Sequence, residues 1–144
     1  MISVNISIDI NRPPDEVFAF LSDFENNPKW QNGMKVCTWT SKPPLRLGST
    51  YSQEASFLGR PIFSHFEVIA YEPGKMVKAT SPAGTFPITF TRSVEPHGTG
   101  TRVKALIEGD SSGVFKLAEP LMAPMVRKSI EADYARLKEL LERM

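Results

Sequence analysis

The stretch "VFKLAEPLMAPMVRKSIEADYARLKELLER", Val114 to Arg143, decides the architecture. Apolar residues at 114, 118, 121, 122, 125, 126, 130, 134, 137 and 141 recur at the three-and-four spacing of one helix face. That stripe, kept for about eight turns, predicts one long C-terminal helix. Two prolines interrupt it. On a helical wheel Lys116, Pro120, Pro124, Arg127 and Glu131 fall on one side. Leu117, Leu121, Met122, Met125 and Ile130 fall toward the other. The prolines then point outward, where water can satisfy the carbonyls of Lys116 and Pro120 that they deprive of partners. Either the helix bends, concave on its apolar side, or it restarts at Pro120, with Pro124 still in a first turn that tolerates proline. In both cases Met122 and Met125 are expected to face inward. Methionine adapts to irregular space, so Met125→Glu is expected to abolish uptake of an apolar molecule while the chain still folds.

The residues upstream supply what the helix covers. Ile2, Val4, Ile6, Ile8 and Ile10 alternate with Ser3, Asn5, Ser7 and Asp9, which is the period of a half-buried strand over 2–10. The next stretch, "NRPPDEVFAFLSDFENNPKW", changes period. Pro13 and Pro14 suit a first helical turn, and Asp15 and Glu16 suit its positive end. Val17, Phe20, Leu21 and Phe24 follow at helical spacing, and Asn26, Asn27 and Pro28 leave room for one more short turn before Trp30. Strands are then expected near 34–40, 48–57, 61–72, 75–81, 85–95 and 100–109, punctuated by Pro43-Pro44, Leu58-Gly59, Pro73-Gly74, Pro82-Ala83-Gly84 and His97-Gly98. Short turns between neighbours imply antiparallel hairpins. The fold class is therefore α+β: a curved seven-stranded antiparallel sheet wrapped around a long C-terminal helix, with two short helices after the first strand. The expectation is one domain spanning 1–144.

Composition narrows the function. The chain has 144 residues, 41% hydrophobic and 23% charged, with a net charge of +1. Scattered basic residues give no footprint for nucleic acid. The alternating N-terminus does not read as a signal peptide, and no apolar run nears the roughly 20 residues that span a membrane. A cytoplasmic location is the default expectation. Cys37 is the single cysteine, so neither a disulfide within the chain nor a cysteine-based zinc site is available.

The element order, and the segments "RPPDEVFAFLSDFENNPKW" (12–30), "LGSTY" (47–51), "FEVIAYEPGK" (66–75), "GTGTRV" (98–103) and "FKLAEPLMAPMVRKSIEADYARLKELLERM" (115–144), resemble the START-like and birch-pollen-allergen-like helix-grip superfamily. The nearest part resembles the group called polyketide cyclase/dehydrase and lipid transport, or SRPBCC. The resemblance implies a deep apolar cavity between sheet and helix. Members hold lipids, sterols, polyketides, hormones or quinones there; some are cyclases or dehydratases, and some are chaperone cofactors. Fold alone does not choose among these.

Alternation assigns the inner face. Tyr51, Gln53, Ala55 and Phe57 share one side of their strand, Phe86, Ile88 and Phe90 one side of theirs, and Val103, Ala105 and Ile107 one side of the last. In the fourth strand Phe66 and Val68 oppose Ile69 and Tyr71. Phe66 and Val68 are taken inward because Glu67 then meets water, although a bulge would mix the faces. The expected cavity wall is Phe20, Trp30, Tyr51, Gln53, Phe57, Phe66, Val68, Phe86, Phe90, Val103, Leu121, Met122 and Met125. Gln53, a lone amide on an apolar face, needs a partner: a ligand, the backbone or water.

Catalytic residues are sparse. His97 sits in a turn, and His65 points outward if Phe66 points inward. Cys37 reads as a small buried thiol. No Gly-x-Ser-x-Gly elbow or metal-ligand spacing occurs, so no catalytic residue, metal or cofactor is assigned. Arg92 shares the side of Phe90, but a buried arginine needs a carboxylate or an anionic ligand, and its end of the strand is expected to be exposed. The favoured reading is a non-catalytic carrier or sensor of a small apolar molecule. The alternatives are a cyclase or dehydratase that shapes its substrate, helped by Tyr51, Gln53 or His65, and a protein-interaction module that uses the same groove. An exposed Trp39 or Phe63 would mark a homodimer face.

Overall fold

The computed structural model describes residues 2–57, 59–82, 87–110 and 114–144, apart from the side chains of Phe57 and residues 114–118. Phe86 and the Phe57 side chain, both assigned above to the cavity wall, lie outside the described residues.

The chain forms β1 (Ile2–Ile10), α1 (Pro14–Ser22), a 3₁₀ helix (Phe24–Lys29), β2 (Met34–Trp39), β3 (Thr50–Phe57), β4 (Arg60–Glu72), β5 (Met76–Ser81), β6 (Ile88–His97), β7 (Gly100–Gly109) and α2 (Val114–Arg143). All seven strands pair antiparallel in the order β1-β7-β6-β5-β4-β3-β2. Strands β2 to β7 form a continuous meander, and β1 returns to pair with β7, Ile2 opposite Gly109 and Ile10 opposite Thr101.

Strand alternation places the core. In β1 Val4, Ile6 and Ile10 are buried while Ser3, Asn5, Ser7 and Asp9 are exposed. Phe66 and Val68 of β4 are buried, with Glu67 exposed between them. A register shift against β5 between Val68 and Ala70 then mixes the faces. Ile69 stays largely exposed, whereas Tyr71 stacks on Phe18 with ring centroids 6.4 Å apart. Helix α1 starts on Pro14, carries Asp15 and Glu16 in its first turn, and buries Val17, Phe18 and Leu21. The carboxylate of Asp23 begins the 3₁₀ helix, accepting from the Glu25 N–H at 3.3 Å and from Trp39 Nε1 at 3.2 Å. Trp39 is thereby half-buried against Phe24 and Tyr51 rather than exposed, which removes it as a surface marker; Phe63 is exposed.

Helix α2 runs unbroken through Pro120 and Pro124, both exposed. It does not restart at Pro120. Its buried face carries Met122, Asp133, Tyr134, Leu137 and Leu141, with Val126 and Ile130 half-buried beside them. Leu121 is 79% exposed and Met125 50% exposed, contrary to the wheel placement. Each residue advances about 100° round a helix. A stripe running 122, 126, 130, 134, 137 and 141 therefore leaves 121 and 125 on the flank turned away from the sheet. Ten apolar positions cover too wide an arc for all to be buried, and the wheel placement favours the wrong edge of it.

Candidate functional site

Between the curved sheet and the middle of α2 lies a cavity of about 260 Å³. Its size sits just below the usual range for small-molecule pockets. The sheet supplies apolar side chains: Ile2 and Val4 from β1, Ala55 from β3, Ile62 and Phe66 from β4, Ile88 and Phe90 from β6, and Ile107 from β7. Val126, Ile130 and Tyr134 cover it from α2, and the segment from Trp30 to Met34 closes one side. Gly33 in that segment adopts φ +88°, and a Cβ there would lie 2.9 Å from the Ser56 carbonyl oxygen, so the tight approach of this loop to β3 requires glycine.

Of the expected wall residues, the structure brings Trp30, Gln53, Phe66 and Phe90 onto the cavity. Tyr51, Val68 and Val103 are buried behind the wall as core. Met122 is buried but away from the cavity, and Phe20 is half-buried against the core. Leu121 and Met125 face outward, for the reason of helix phase just given.

One residue reverses an expectation. Arg92 is 4% exposed and lines the cavity. Strand β6 continues to His97, so Arg92 lies at mid-strand, where the pleat directs it inward with Phe90. Nη1 donates to the Leu21 carbonyl oxygen and to Asn27 Oδ1, both at 3.1 Å. Three aromatic rings surround the guanidinium carbon, whose distance is 4.7 Å to the Phe90 centroid, 5.0 Å to Trp30 and 5.7 Å to Phe24. Cation–π contact and neutral carbonyls thus stand where a carboxylate was expected. The inward alternation with Phe90 was the sequence signal for this residue.

A polar line runs from Arg92 through the wall residues Asn27 and Gln53, joined by Cys37 behind the wall. Asn27 Nδ2 lies 3.8 Å from Cys37 Sγ, and the Cys37 thiol lies 3.7 Å from Gln53 Oε1. Gln53 therefore has a side-chain partner. Burial pushes the Cys37 thiol from its ordinary 9.0 up to about 11, against the weaker opposing pull of Asn27 and Arg92, so the thiolate nucleophile is scarce at neutral pH. Burial also raises the Tyr51 hydroxyl well above 10.0. On the α2 side Asp133 accepts the Asn32 N–H at 3.0 Å and pairs with Arg136. Burial nonetheless raises its carboxyl above the ordinary 3.8.

The remaining candidates lie elsewhere. His65 is exposed, its Nδ1 3.0 Å from Ser52 Oγ, and His97 contacts Asp9 and Arg102 at the surface. Neither lines the cavity. Among the described residues no cluster of three or more His, Cys, Asp or Glu could hold a metal ion, and no described helix is long and apolar enough to cross a membrane. The arrangement can enclose an apolar body and present one cation to it.

Known proteins agree with this architecture. A protein of Mycobacterium tuberculosis, itself described as uncharacterized, is 29% identical over 118 residues, which cover 82% of this chain and 65% of the relative. The chain thus matches about two thirds of that protein's length. Among solved structures, the protein TTHA0849 from Thermus thermophilus aligns with a TM-score of 0.82 at 19% identity, covering 95% of this chain and 94% of the other. A START superfamily protein from Mycobacterium smegmatis aligns with a TM-score of 0.75 at 18% identity, covering 99% and 95%. At those identities the likeness shows the helix-grip fold. Residues 1–142 match the family model described as polyketide cyclase / dehydrase and lipid transport, and the chain belongs to that family.

Proposed function

We propose that the protein binds a small, largely apolar molecule in the cavity between the sheet and α2, as a carrier or sensor. The carrying observation is the cavity itself: about 260 Å³ walled mainly by Ile, Val, Phe, Trp and Tyr side chains in a fold whose sheet and helix could instead have closed on each other. Filling that volume with apolar matter removes wall and ligand surface from water, the main source of affinity in such pockets. The family description, which joins lipid transport with cyclase and dehydrase chemistry, supports a ligand-holding role.

A second reading has the same cavity shape a reactive substrate for cyclisation. What favours it is that Arg92, Asn27 and Gln53 all line the cavity, polar groups able to hold an oxygen-bearing chain in a bent conformation. Burial favours the thiol of Cys37 over its thiolate, so this reading gives it no nucleophilic role.

The test is displacement of an apolar fluorophore such as N-phenyl-1-naphthylamine, with Val126→Trp as the blocking variant. Val126 lines the cavity from α2, and an indole there occupies the space. The wild type is expected to take up the dye and V126W to lose uptake with an unchanged circular dichroism spectrum. Equal uptake by both proteins would place the dye elsewhere and defeat the reading.

A further inference from the structure

We infer that Arg92 is a head-group site, and that the ligand is a small acid: an apolar body of on the order of ten non-hydrogen atoms bearing one oxyanion, most simply a carboxylate. This inference rests on the ligand-binding reading above and adds to it the chemistry of one end of the ligand.

The cavity is bordered by two charged side chains, and only one has its counter-charge. Asp133 is paired with Arg136 and accepts the Asn32 N–H. Arg92 is buried without any described carboxylate in ion-pair contact; its Nη1 meets only neutral oxygens. A guanidinium carries five N–H donors in a fixed fork. Two protein oxygens are engaged, and neither Nε nor Nη2 hydrogen-bonds a described residue.

Trp30 Nε1 is also buried without a partner. Trp30 lines the cavity too, and its ring lies against the Arg92 guanidinium. Indole and guanidinium are donors only. An anionic oxygen would accept from this end and also answer its charge. A buried cation held only by ring faces and neutral oxygens still lacks a counter-charge, and a carboxylate with two oxygens matches the arginine fork. The opposite end of the cavity, at Ile2, Ile62, Ile88, Ile107 and Val126, is aliphatic and suits the body of the ligand.

The experiment compares three ligands of one skeleton, octanoate, octanol and octylamine, on the full chain, read as quenching of Trp30 in a Trp39→Phe background. Trp30 and Trp39 are the only tryptophans, and Trp30 sits on the guanidinium. Octanoate is expected to bind at least about tenfold more tightly than octanol, and octylamine more weakly than either, because a hydrogen-bonded ion pair out of water outweighs a neutral hydrogen bond. Arg92→Met is expected to erase the preference for the acid while leaving octanol bound. Octanoate and octanol binding equally to the wild type would overturn the head-group site and leave the apolar pocket standing. Binding of none of the three would sink the pocket as well. An acid preference kept by folded R92M would also overturn the assignment. If R92M does not fold, the wild-type series decides by the same criteria.

Discussion

The two halves of α2 are held in different ways. From Asp133 onward the helix is tied down by side chains reaching the rest of the chain. Arg136 Nε donates to the Trp30 carbonyl at 3.1 Å, Lys138 Nζ to the Asp9 carbonyl at 2.6 Å, and Glu142 accepts the Asn11 N–H at 2.9 Å. Tyr134 meets Trp30 edge-on at 4.9 Å, and Leu137 and Leu141 are buried. From Pro120 to Met125, by contrast, Met122 is buried while Pro120, Leu121, Pro124 and Met125 face water. The cavity lies under the junction, where Val126, Ser129, Ile130, Asp133 and Tyr134 line it. The C-terminal half fixes where the helix sits, and the cavity lies between it and the exposed stretch that carries the two prolines.

The largest effect that tests this contrast is at Leu137, fully buried in the anchored half. Leu137→Ala is expected to destabilise by about 2–5 kcal/mol in urea unfolding, the sum of lost transfer energy and the void left behind. A loss below about 1 kcal/mol would mean that the C-terminal half does not carry the helix.

Asp133 comes next, because it joins the anchor to the cavity. Burial raises its carboxyl above 3.8, against the opposing pull of the Asn32 N–H and Arg136. The folded chain then holds this proton at a higher pH than the unfolded chain does. Protonation therefore favours the folded state as pH falls through the raised value toward 3.8, and that contribution is lost as pH rises. Asp133→Asn is expected to cost no more than about 1 kcal/mol at neutral pH, since it also removes a poorly solvated charge. The gap between wild type and D133N should widen on acidification toward about pH 4, measured as paired urea midpoints. A gap that narrows in acid would show the pairing with Arg136 outweighing burial.

Much of this fold is legible in the sequence alone. Strict alternation located β1 and the inner faces of β3 and β7, because a strand's period depends only on neighbouring residues and one buried side. The turn residues separated the strands for similar local reasons. Two features were out of reach because they are settled by distant parts of the chain. Arg92 read as exposed on the strength of its charge. Its burial is made possible by Phe24 and Trp30, which another element brings over it. The phase of α2 was misjudged because apolar residues alone do not mark the buried face: Asp133 lies on it, held by the Asn32 N–H, while Leu121 does not. Of the strand residues expected on the wall, Gln53, Phe66 and Phe90 line the cavity while Tyr51, Val68 and Val103 pack behind it, and of the helix residues Leu121 and Met125 face outward.

The smallest expected effects lie on the exposed flank at Leu121 and Met125, and they separate exposure from hydrophobicity. Leu121→Ala removes an apolar side chain that is already mostly in water, so stability should change by no more than about 0.5 kcal/mol. Met125→Glu, which the wheel phasing would make fatal to ligand uptake, introduces a charge on a half-exposed flank. The helix can turn that charge to solvent, so folding and dye uptake should both stay close to wild type. Met122→Glu, three residues earlier and buried, should lose stability instead, because the same carboxylate would have to enter the core without a partner. If Met125→Glu blocked uptake while Met122→Glu were harmless, the buried stripe of α2 would have to be turned back toward 121 and 125, and the division between its two halves would fail with it.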